Sequence, residues 1–477
     1  MNRITNILYI AILVVIMSSC DQLSSVDEIS PEYVLTDETA FINASSTEAV
    51  LNGVYQLWRG DGVTQMRNAM FQLTRTTLNT NVARAYEFKV NDISVSSPLV
   101  KNYYQNLYKI VNQSGSIITL LPKVTPKELS NDRKMEILGE AYFNRALANF
   151  MLLRSFGEFW DIQSQYGIVL YDVPVRENKA QPRSTVSKCY KLINSDLENA
   201  ILYCPEYTVS YRANKIAAKL LRARLALYQN DYSKVLSLCD EIEKDALNYG
   251  ISLDDSYKNI YLSGYNSSEL LFSIYTSYPQ EIITTGLYND FYFNGIDGTT
   301  TVRIADELVG GIDDGDMFSG ENMDPRYCQI YNWTENGCVM NKYLNNINGE
   351  DANPYYILRY AEMYLLRAEA QVRNGKFNEA RNSLKHITTR AGYDEDYTLS
   401  IADSDLLLKI FQHKYIEFNG ENYEEWFDMV RFNHLDGINF ENLEYIRSFK
   451  HKTLPIPYDA LAGNNQLIQN PDYIYKE

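Results

Sequence analysis

The chain has 477 residues, of which 45% are apolar, so it is long enough to bury a sizeable core and too apolar for a disordered protein. Its 61 acidic and 44 basic residues give a net charge of −17, which argues against nucleic acid or an anionic membrane surface as a partner. Its 39 tyrosines are unusual, because a tyrosine ring offers an apolar face and a polar tip that suit interfaces and sugar stacking.

The N-terminal residues have the pattern of an export signal. Arg3 supplies a positive charge, and residues 7–17 form an apolar run that is shorter than the about 20 residues a membrane helix needs. The run leads to Ser18-Ser19-Cys20, which resembles the lipobox at which lipoprotein signals are cut before a lipid-modified cysteine. We expect a signal peptide over 1–19, lipid on Cys20 and a tether over 20–40; a plain signal peptide with a chance cysteine is the alternative.

Helical periodicity dominates the first half of the chain. We predict a helix that ends near Trp58, with Ser45 or Ser46 as its N-cap, and further helices over 99–121, 132–156, 184–203, 212–229 and 232–247. Residues 60–98 lack a clean period, so we expect exposed loops there. Glycine and proline between 155 and 182 predict a connector.

The second half contains a long segment of a different kind. Residues 250–354 are rich in Gly, Asn, Asp and aromatic residues, and we expect a loop insertion with short strands at 269–275 and 339–344. A long insertion with little regular structure is usually functional in a compact protein. A helix is predicted over 403–418, and the tail, 454–473, is too rich in proline and asparagine for helix, so we expect it to lie along the surface.

Two segments share one helical-hairpin pattern. Small and apolar residues recur at 3-4 spacing from Leu358 to Val372 and predict a helix about five turns long, which ends at Asn374-Gly375. A second amphipathic helix is predicted from Phe377 to Ala391. The same register occurs 145 residues earlier, at Arg222-Ala223 and Asn230-Asp231-Tyr232.

This register is the tetratricopeptide pattern, in which small residues such as Ala368 let paired helices approach closely. One hairpin cannot bury its apolar stripe alone, so two hairpins in register imply a continuous stack. We therefore predict a mainly all-α, tetratricopeptide-like repeat scaffold, formed as a single domain over 41–477. Long loop insertions at about 60–98 and 250–354 and short β elements complete it.

Several separated motifs together resemble the SusD/RagB family of nutrient-binding outer-membrane lipoproteins. The similar stretches, in chain order, are Asp324-Pro325-Arg326, Lys342-Tyr343, the run from Arg359 to Ala370 with its RYAE and AEA elements, Glu417-Phe418, Trp426 to Arg431, and Leu454 to Tyr473 with its LPIP and QNP elements. The family usually has a Glu-Arg pair where this chain has His413-Lys414. That departure predicts that a salt-bridge network at these positions is lost.

The resemblance implies a function for the whole chain. It implies a non-catalytic glycan-binding lipoprotein, lipid-anchored to the outer membrane and exposed on the cell surface, that passes its ligand to a TonB-dependent, SusC-like transporter.

No cofactor or metal site is predicted, and no catalytic constellation is found. The sequence contains no GxSxG, GxxxxGK or HExxH motif. His386 and His413 fall in predicted helices without a histidine partner at i+4, which favours structural roles. Cys189 and Cys204 are too far apart on one helix to bond, whereas Cys328 and Cys338 either pair across a loop or remain separate thiols.

Two other functions remain open at this point. A surface glycoside hydrolase would need two carboxylates about 5–10 Å apart, and the sequence does not reveal such a distance. A protein-interaction scaffold is the default use of tetratricopeptide stacks. A cleft lined by aromatic residues beside polar groups would favour sugar binding over the scaffold role.

Helix faces in a stack are used for packing, so we expect the glycan site on the irregular segments. Trp333, the only tryptophan in the long insertion, and Tyr292, in its most aromatic run, are the predicted stacking surface. Arg84, Tyr86 and Asn294 are the predicted flanking contacts. The alternative is that these aromatic residues pack a small core of the insertion itself.

Overall fold

A computed structural model describes residues 40–74, 86–177, 180–275, 324–334, 337–340, 354–418, 420–440 and 449–473. The helices are α1 Ala44–Trp58, α2 Asp61–Phe71, α3 Tyr86–Lys89, α4 Pro98–Leu120, α5 Asn131–Phe156, α6 Val186–Tyr203, α7 Lys215–Tyr228, α8 Tyr232–Tyr249, α9 Tyr257–Ser263, α10 Pro325–Ile330, α11 Tyr360–Arg373, α12 Phe377–Ala391, α13 Asp403–Glu417, α14 Glu424–Asp436 and α15 Tyr458–Gly463. The strands are β1 Leu270–Ile274, β2 Tyr331–Thr334, β3 Gly337–Met340 and β4 Tyr355–Arg359.

The helices form the predicted stack of antiparallel neighbours. Packing runs from α4 through α5, α6, α7 and α8 to α11, and then through α12 and α13 to α14. Helices α1 and α2 cover α4 at one end of this series. No helix in the described ranges is long and apolar enough to cross a membrane. The prediction of a mainly helical, tetratricopeptide-like scaffold is confirmed.

The repeat of 145 residues is confirmed at both of its hairpins. Helices α7 and α11 begin 145 residues apart, at Lys215 and Tyr360, and the second helices begin at Tyr232 and Phe377. The turn residues also correspond, because Asn230 and Gly375 both have left-handed backbones, with φ of 60° and 72°. Glycine and asparagine tolerate this conformation best, so the same tight turn closes each hairpin.

Small side chains bring the two hairpins together as predicted. Ala368 is fully buried on α11, which packs against α7 and α8. The Cys239 thiol of α8 donates to the carbonyl oxygen of Met363 at 3.5 Å, so the two helices approach backbone to side chain. Tyr360 and Tyr364 are buried in the same region. Cys189, Cys204 and Cys239 are buried free thiols.

Two predicted loop regions contain regular structure instead. Residues 61–71 form helix α2, and Val63, Met66 and Met70 are buried, so the expectation of exposed loops over 60–98 is wrong for this part. Polar residues between the apolar positions weakened the helical period of this segment, while the contact with α4 stabilises the helix. The tail also enters the core, because Leu454 and Ile456 are buried and α15 is helical.

Two details of the predicted helices are corrected. Leu358 belongs to strand β4, which pairs antiparallel with β1, and helix α11 starts only at Tyr360. The predicted strand at 269–275 is confirmed as β1. The N-cap of α1 is Asn43, whose side chain accepts from Ser46 N at 2.9 Å, and Ser46 serves as the third residue of a capping box.

A buried ion-pair network joins the repeats, contrary to the prediction that salt bridges are lost around His413-Lys414. It comprises Arg326, Arg359 and Arg390 with Glu269, Glu417, Glu421 and Asp324, and a second set with Arg154, Arg224, Lys414, Arg431, Glu362, Glu369, Glu424 and Asp428. Lys414 itself pairs with Asp428 at 2.8 Å. The lysine therefore substitutes for the expected pair by reaching a carboxylate on the next helix.

His413 has the structural role that the sequence predicts. It is buried, and its Nδ1 lies 2.8 Å from Arg326 Nη2, a contact in which the guanidinium must donate. Its Nε2 lies 3.1 Å from the Tyr397 hydroxyl. Burial and the neighbouring guanidinium lower the pKa of His413 to about 3, so the ring is neutral.

Candidate ligand pocket

An open pocket of about 250 Å³ lies where the end of α1, the loop between α6 and α7, and the end of β1 meet. We call it the tyrosine pocket. Its lining residues are Asn52, Tyr55, Gln56, Trp58, Arg59, Tyr211, Arg212, Phe272, Ser273, Ile274 and Tyr275. The volume is just below the roughly 300–1,000 Å³ of sites for drug-sized ligands.

Hydrogen bonds fix the loop between α6 and α7 against strand β1. Ser273 N donates to Ser210 O at 2.7 Å. Asn214 caps α7 by accepting from Ala217 N at 2.9 Å, and its Nδ2 donates to Leu271 O at 3.0 Å. Because β1 is itself paired with β4, the pocket is attached to the central repeat of the scaffold.

Tyrosine rings form one wall of the pocket. The ring of Tyr275 lies 5.0 Å from that of Tyr211 and 5.3 Å from that of Tyr265, measured between centroids. Tyr275 is 42% exposed, so part of its ring is open to a ligand. Trp58 is fully buried at the base, where its Nε1 donates to Asn144 Oδ1 at 2.7 Å. The pocket therefore combines the partly exposed ring of Tyr275 with the buried, hydrogen-bonded side chain of Trp58.

Two arginines stand beside these rings. The Arg59 guanidinium carbon lies 6.0 Å from the centre of the Tyr275 ring, and that of Arg212 lies 4.6 Å from the Tyr55 ring. Arg212 Nη2 donates to Asn52 Oδ1 at 2.6 Å, and its side chain is 28% exposed. Flat rings beside guanidinium and amide groups are the combination that a carbohydrate site requires.

A buried carboxylate below the pocket holds its polar side chains in place. Glu140 accepts from the Tyr55 hydroxyl at 2.6 Å and from Arg133 at 2.9 Å, and it lies 3.5 Å from Arg212 Nη1. Burial raises the pKa of Glu140, and the lowering effects of Arg212 and Arg133 oppose that rise only in part. The Tyr55 hydroxyl also accepts from Ala213 N at 3.0 Å. Glu140 therefore contacts both Tyr55 of α1 and Arg212 of the loop between α6 and α7.

The predicted site residues fall largely outside the described residues. Trp333 lies in strand β2, paired with Cys338 of β3, and Tyr86 is the first residue of α3. For both residues the structure describes the backbone and not the side chain. Arg84, Tyr292, Asn294 and the lipidation residue Cys20 are outside the described residues altogether. All six remain predictions.

The tyrosine pocket was missed by reasoning from the sequence. Its side chains come from three distant places, near residues 59, 211 and 275, and each segment alone reads as an ordinary helix end, loop or strand. The adjacent Tyr211-Arg212 in a loop between two helices was the one local signal. Tyr275 belongs to the predicted insertion of 250–354, so the pocket includes part of that segment.

The clustered carboxylates of the ion-pair network are closed to a substrate. Glu417 is fully buried and bonded to Arg326, Arg359 and Arg390. Burial opposes its ionisation, but the three guanidinium groups outweigh that effect and hold the pKa of Glu417 well below its usual range. Burial raises the pKa of Glu269 to about 7, the direction that a catalytic acid needs, but Glu269 is also fully buried and is paired with Arg359 and Arg390. Within the described ranges, no group of three or more His, Cys, Asp or Glu side chains is arranged to hold a metal ion.

Two protein-family models match two separate parts of the chain. A model described as "Starch-binding associating with outer membrane" matches residues 28–227, and a model described as "SusD family" matches residues 275–473. A SusD-like protein of Bacteroides ovatus is 23% identical, over 69% of this chain and 64% of its own length. The chain thus spans slightly less than two thirds of that relative.

Solved structures show the same fold. A SusD superfamily protein of Bacteroides vulgatus has a TM-score of 0.73 at 22% identity, over 92% of this chain and all of its own. A structure from the same organism, described as a putative sugar binding protein, has a TM-score of 0.71 at 21% identity, over 91% of this chain and all of its own. Identities this low support the likeness of fold alone.

Proposed function

The chain belongs to the SusD/RagB family, and from this premise we propose that it is a non-catalytic glycan-binding lipoprotein of the outer membrane that delivers its ligand to a TonB-dependent, SusC-like transporter. The observation that carries the binding function is the tyrosine pocket. It joins an exposed aromatic ring with arginine and amide groups on a fixed support. Such a cleft is the feature that separates a sugar-binding protein from a scaffold that only binds other proteins.

A binding role without catalysis agrees with the charges at the site. None of the described residues that line the tyrosine pocket is an aspartate or a glutamate, and Glu140 below it is engaged by Tyr55 and Arg133. Hydrolysis of a glycosidic bond uses a pair of carboxyl groups flanking that bond. We therefore propose glycan binding as the function and keep a surface glycoside hydrolase as the less favoured alternative.

The glycan experiment compares the pocket with an unrelated tyrosine. Affinity electrophoresis against starch, xylan, pectin and alginate identifies the polysaccharide, and isothermal titration calorimetry with its oligosaccharides measures the affinity. Stacking contributes about 0.5–1.5 kcal/mol beyond buried area, so Tyr275→Ala should weaken binding several-fold. Tyr458→Ala is the matched control, because Tyr458 is 61% exposed and does not line the pocket.

The same titration tests the site predicted from the sequence. Trp333→Ala should also weaken binding several-fold if the insertion carries part of the stacking surface. An effect of Trp333→Ala alone would move the site onto the insertion, and full affinity in both variants would contradict the proposed glycan site. Circular dichroism of each variant separates a lost site from a lost fold.

Anchoring and delivery have their own tests. Cys20→Ala should abolish incorporation of labelled palmitate and release the protein from the membrane fraction, while Ser24→Ala should change neither. A stable transporter complex should bury more than about 2,000 Å² and survive mild detergent. Recovery of the protein without a large β-barrel partner in several detergents would contradict the delivery step.

A further inference from the structure

The charged side chains among the described residues that line the tyrosine pocket are both cations. Among the described residues that line it, Arg59 and Arg212 are charged, and none is an aspartate or a glutamate. This sign is opposite to that of the chain as a whole, whose net charge is −17. A positive pocket in a strongly acidic protein is therefore a local feature and does not follow from composition.

The two arginines face a ligand under different constraints. Arg212 is oriented by Asn52, by the ring of Tyr55 and by Glu140 at 3.5 Å. Glu140 divides its charge between Arg212 and Arg133, and Arg133 also binds both oxygens of Glu48, at 2.6 and 3.0 Å. Arg59 is the C-cap residue of α1, and its guanidinium carbon lies 6.0 Å from the centre of the partly exposed Tyr275 ring.

We infer that the tyrosine pocket selects an acidic sugar, one whose ring carries a carboxylate or a sulfate, and this inference rests on the proposed glycan-binding function. The sugar ring stacks on Tyr275, and its anionic group lies between Arg59 and Arg212. A guanidinium group presents parallel N–H donors that match a carboxylate or sulfate, so it distinguishes an acidic sugar from a neutral one by charge and by shape. Asn52 and Gln56 remain at the rim for ring hydroxyls.

Matched pairs of oligosaccharides that differ only in the anionic group test this selection. Isothermal titration calorimetry compares trigalacturonic acid with its methyl ester, 3′-sialyllactose with lactose, and a sulfated carrageenan tetrasaccharide with its desulfated form. We expect the acid to bind at least about tenfold more tightly in one pair, because hydrogen bonds between charged groups are the strongest that a surface pocket offers. The pair that responds distinguishes carboxylate from sulfate.

Variants of Arg59 locate the selection in this pocket. Arg59→Gln should remove most of the preference for the acid, read as the ratio of the acid and neutral affinities in that variant, and Arg59→Lys should restore part of the ratio. Raising the salt concentration from about 50 to about 500 mM should weaken binding of the acidic sugar and leave binding of the neutral sugar unchanged. Circular dichroism checks that each variant is folded.

The outcomes separate this inference from the proposed function. Equal or tighter binding of the neutral member in every pair, or an unchanged preference in Arg59→Gln, overturns the selection of acidic sugars and leaves glycan binding intact. Failure of all six sugars to bind also overturns the selection. If the polysaccharides of the electrophoresis panel then fail as well, the glycan-binding function itself is contradicted.

Discussion

Arginine lies on an aromatic ring both in the ion-pair network and in the tyrosine pocket, with quite different partners. The Arg359 guanidinium is 4.7 Å from the Phe418 ring, 1% exposed, and bonded to Glu269, Glu417 and Glu421. Arg212 is 4.6 Å from the Tyr55 ring, 28% exposed, and shares one carboxylate with Arg133. The ring contact is nearly the same, so the difference in role comes from how many carboxylates surround the arginine and from access to solvent.

The comparison also separates the family motifs from the ligand site. The residues that carry the resemblance most clearly, Arg359, Glu362, Glu417 and Arg431, form buried ion pairs between distant elements of the chain. A pair of this kind loses much of its attraction to the cost of removing charge from water, and its main effect is to penalise any other arrangement. The motifs therefore specify how the helices assemble, and the proposed ligand pocket is lined by residues that the motifs do not include.

The largest expected effect is in the buried ion-pair network. Arg359→Met leaves three carboxylates without their shared partner, so it should lower the free energy of unfolding by about 3–5 kcal/mol. Lys385→Met is the control, because Lys385 and Glu395 are 40% and 78% exposed, and an exposed pair contributes about 0–1 kcal/mol. Urea unfolding measures both. Equal losses would mean that the network behaves as a surface feature.

Packing density gives the next effect. Ala368 is fully buried, so Ala368→Phe should overpack the contact between α11 and its neighbours and destabilise the fold by about 1–3 kcal/mol. Asn52→Phe places the same ring at the exposed edge of the 250 Å³ pocket and should leave the unfolding midpoint close to that of the wild type. Thermal unfolding compares the two. An unshifted midpoint in Ala368→Phe would show that the predicted helix pairing is incorrect.

His413, buried beside the ion-pair network, should make the free energy of unfolding depend on pH. Burial and Arg326 lower its pKa to about 3, below the about 6.5 expected in the unfolded chain. Between these values the unfolded state binds the extra proton, so stability is fully present above about pH 6.5 and falls as the pH is lowered, by up to about 1.4 kcal/mol per pH unit from this group.

His413→Gln removes the titrating ring and keeps an acceptor near Arg326. The variant should therefore show a shallower loss of unfolding free energy than the wild type between about pH 6.5 and 4.5. Urea unfolding at several pH values measures the slopes. Parallel slopes for the two proteins would show that His413 takes up its proton in the folded state.

The smallest effect distinguishes a buried from an exposed tyrosine hydroxyl. The Tyr257 hydroxyl is buried and donates to Glu417 O at 2.6 Å, so Tyr257→Phe should cost about 0.5–1.5 kcal/mol. Tyr275→Phe keeps the pocket ring and should cost almost nothing, because that residue is 42% exposed. Urea unfolding resolves the pair. A larger loss in Tyr275→Phe would mean that the pocket wall is part of the core.

Local patterns in the sequence determined much of the scaffold. The 3-4 spacing of Ala361, Leu365 and Ala368 and the turn at Asn374-Gly375 define the central hairpin with little help from the rest of the chain. The register that repeats 145 residues earlier then required a stack, because a single hairpin leaves its apolar stripe exposed. Periodicity and turn chemistry act between near neighbours, and they are therefore legible in one sequence.

Only the tertiary structure decided which charged side chains are buried in ion pairs and which line an open pocket. Helix α2 and strand β4 depend on contacts with distant elements, α4 and β1, that local propensity does not encode. In the same way, Arg359 and Arg212 are indistinguishable as residue types, and their roles follow from carboxylates brought from far along the chain: Glu417 to the first, and Glu140 to the second. Coulombic attraction and desolvation act through space, so the partner of a charge is fixed only when the helices have packed.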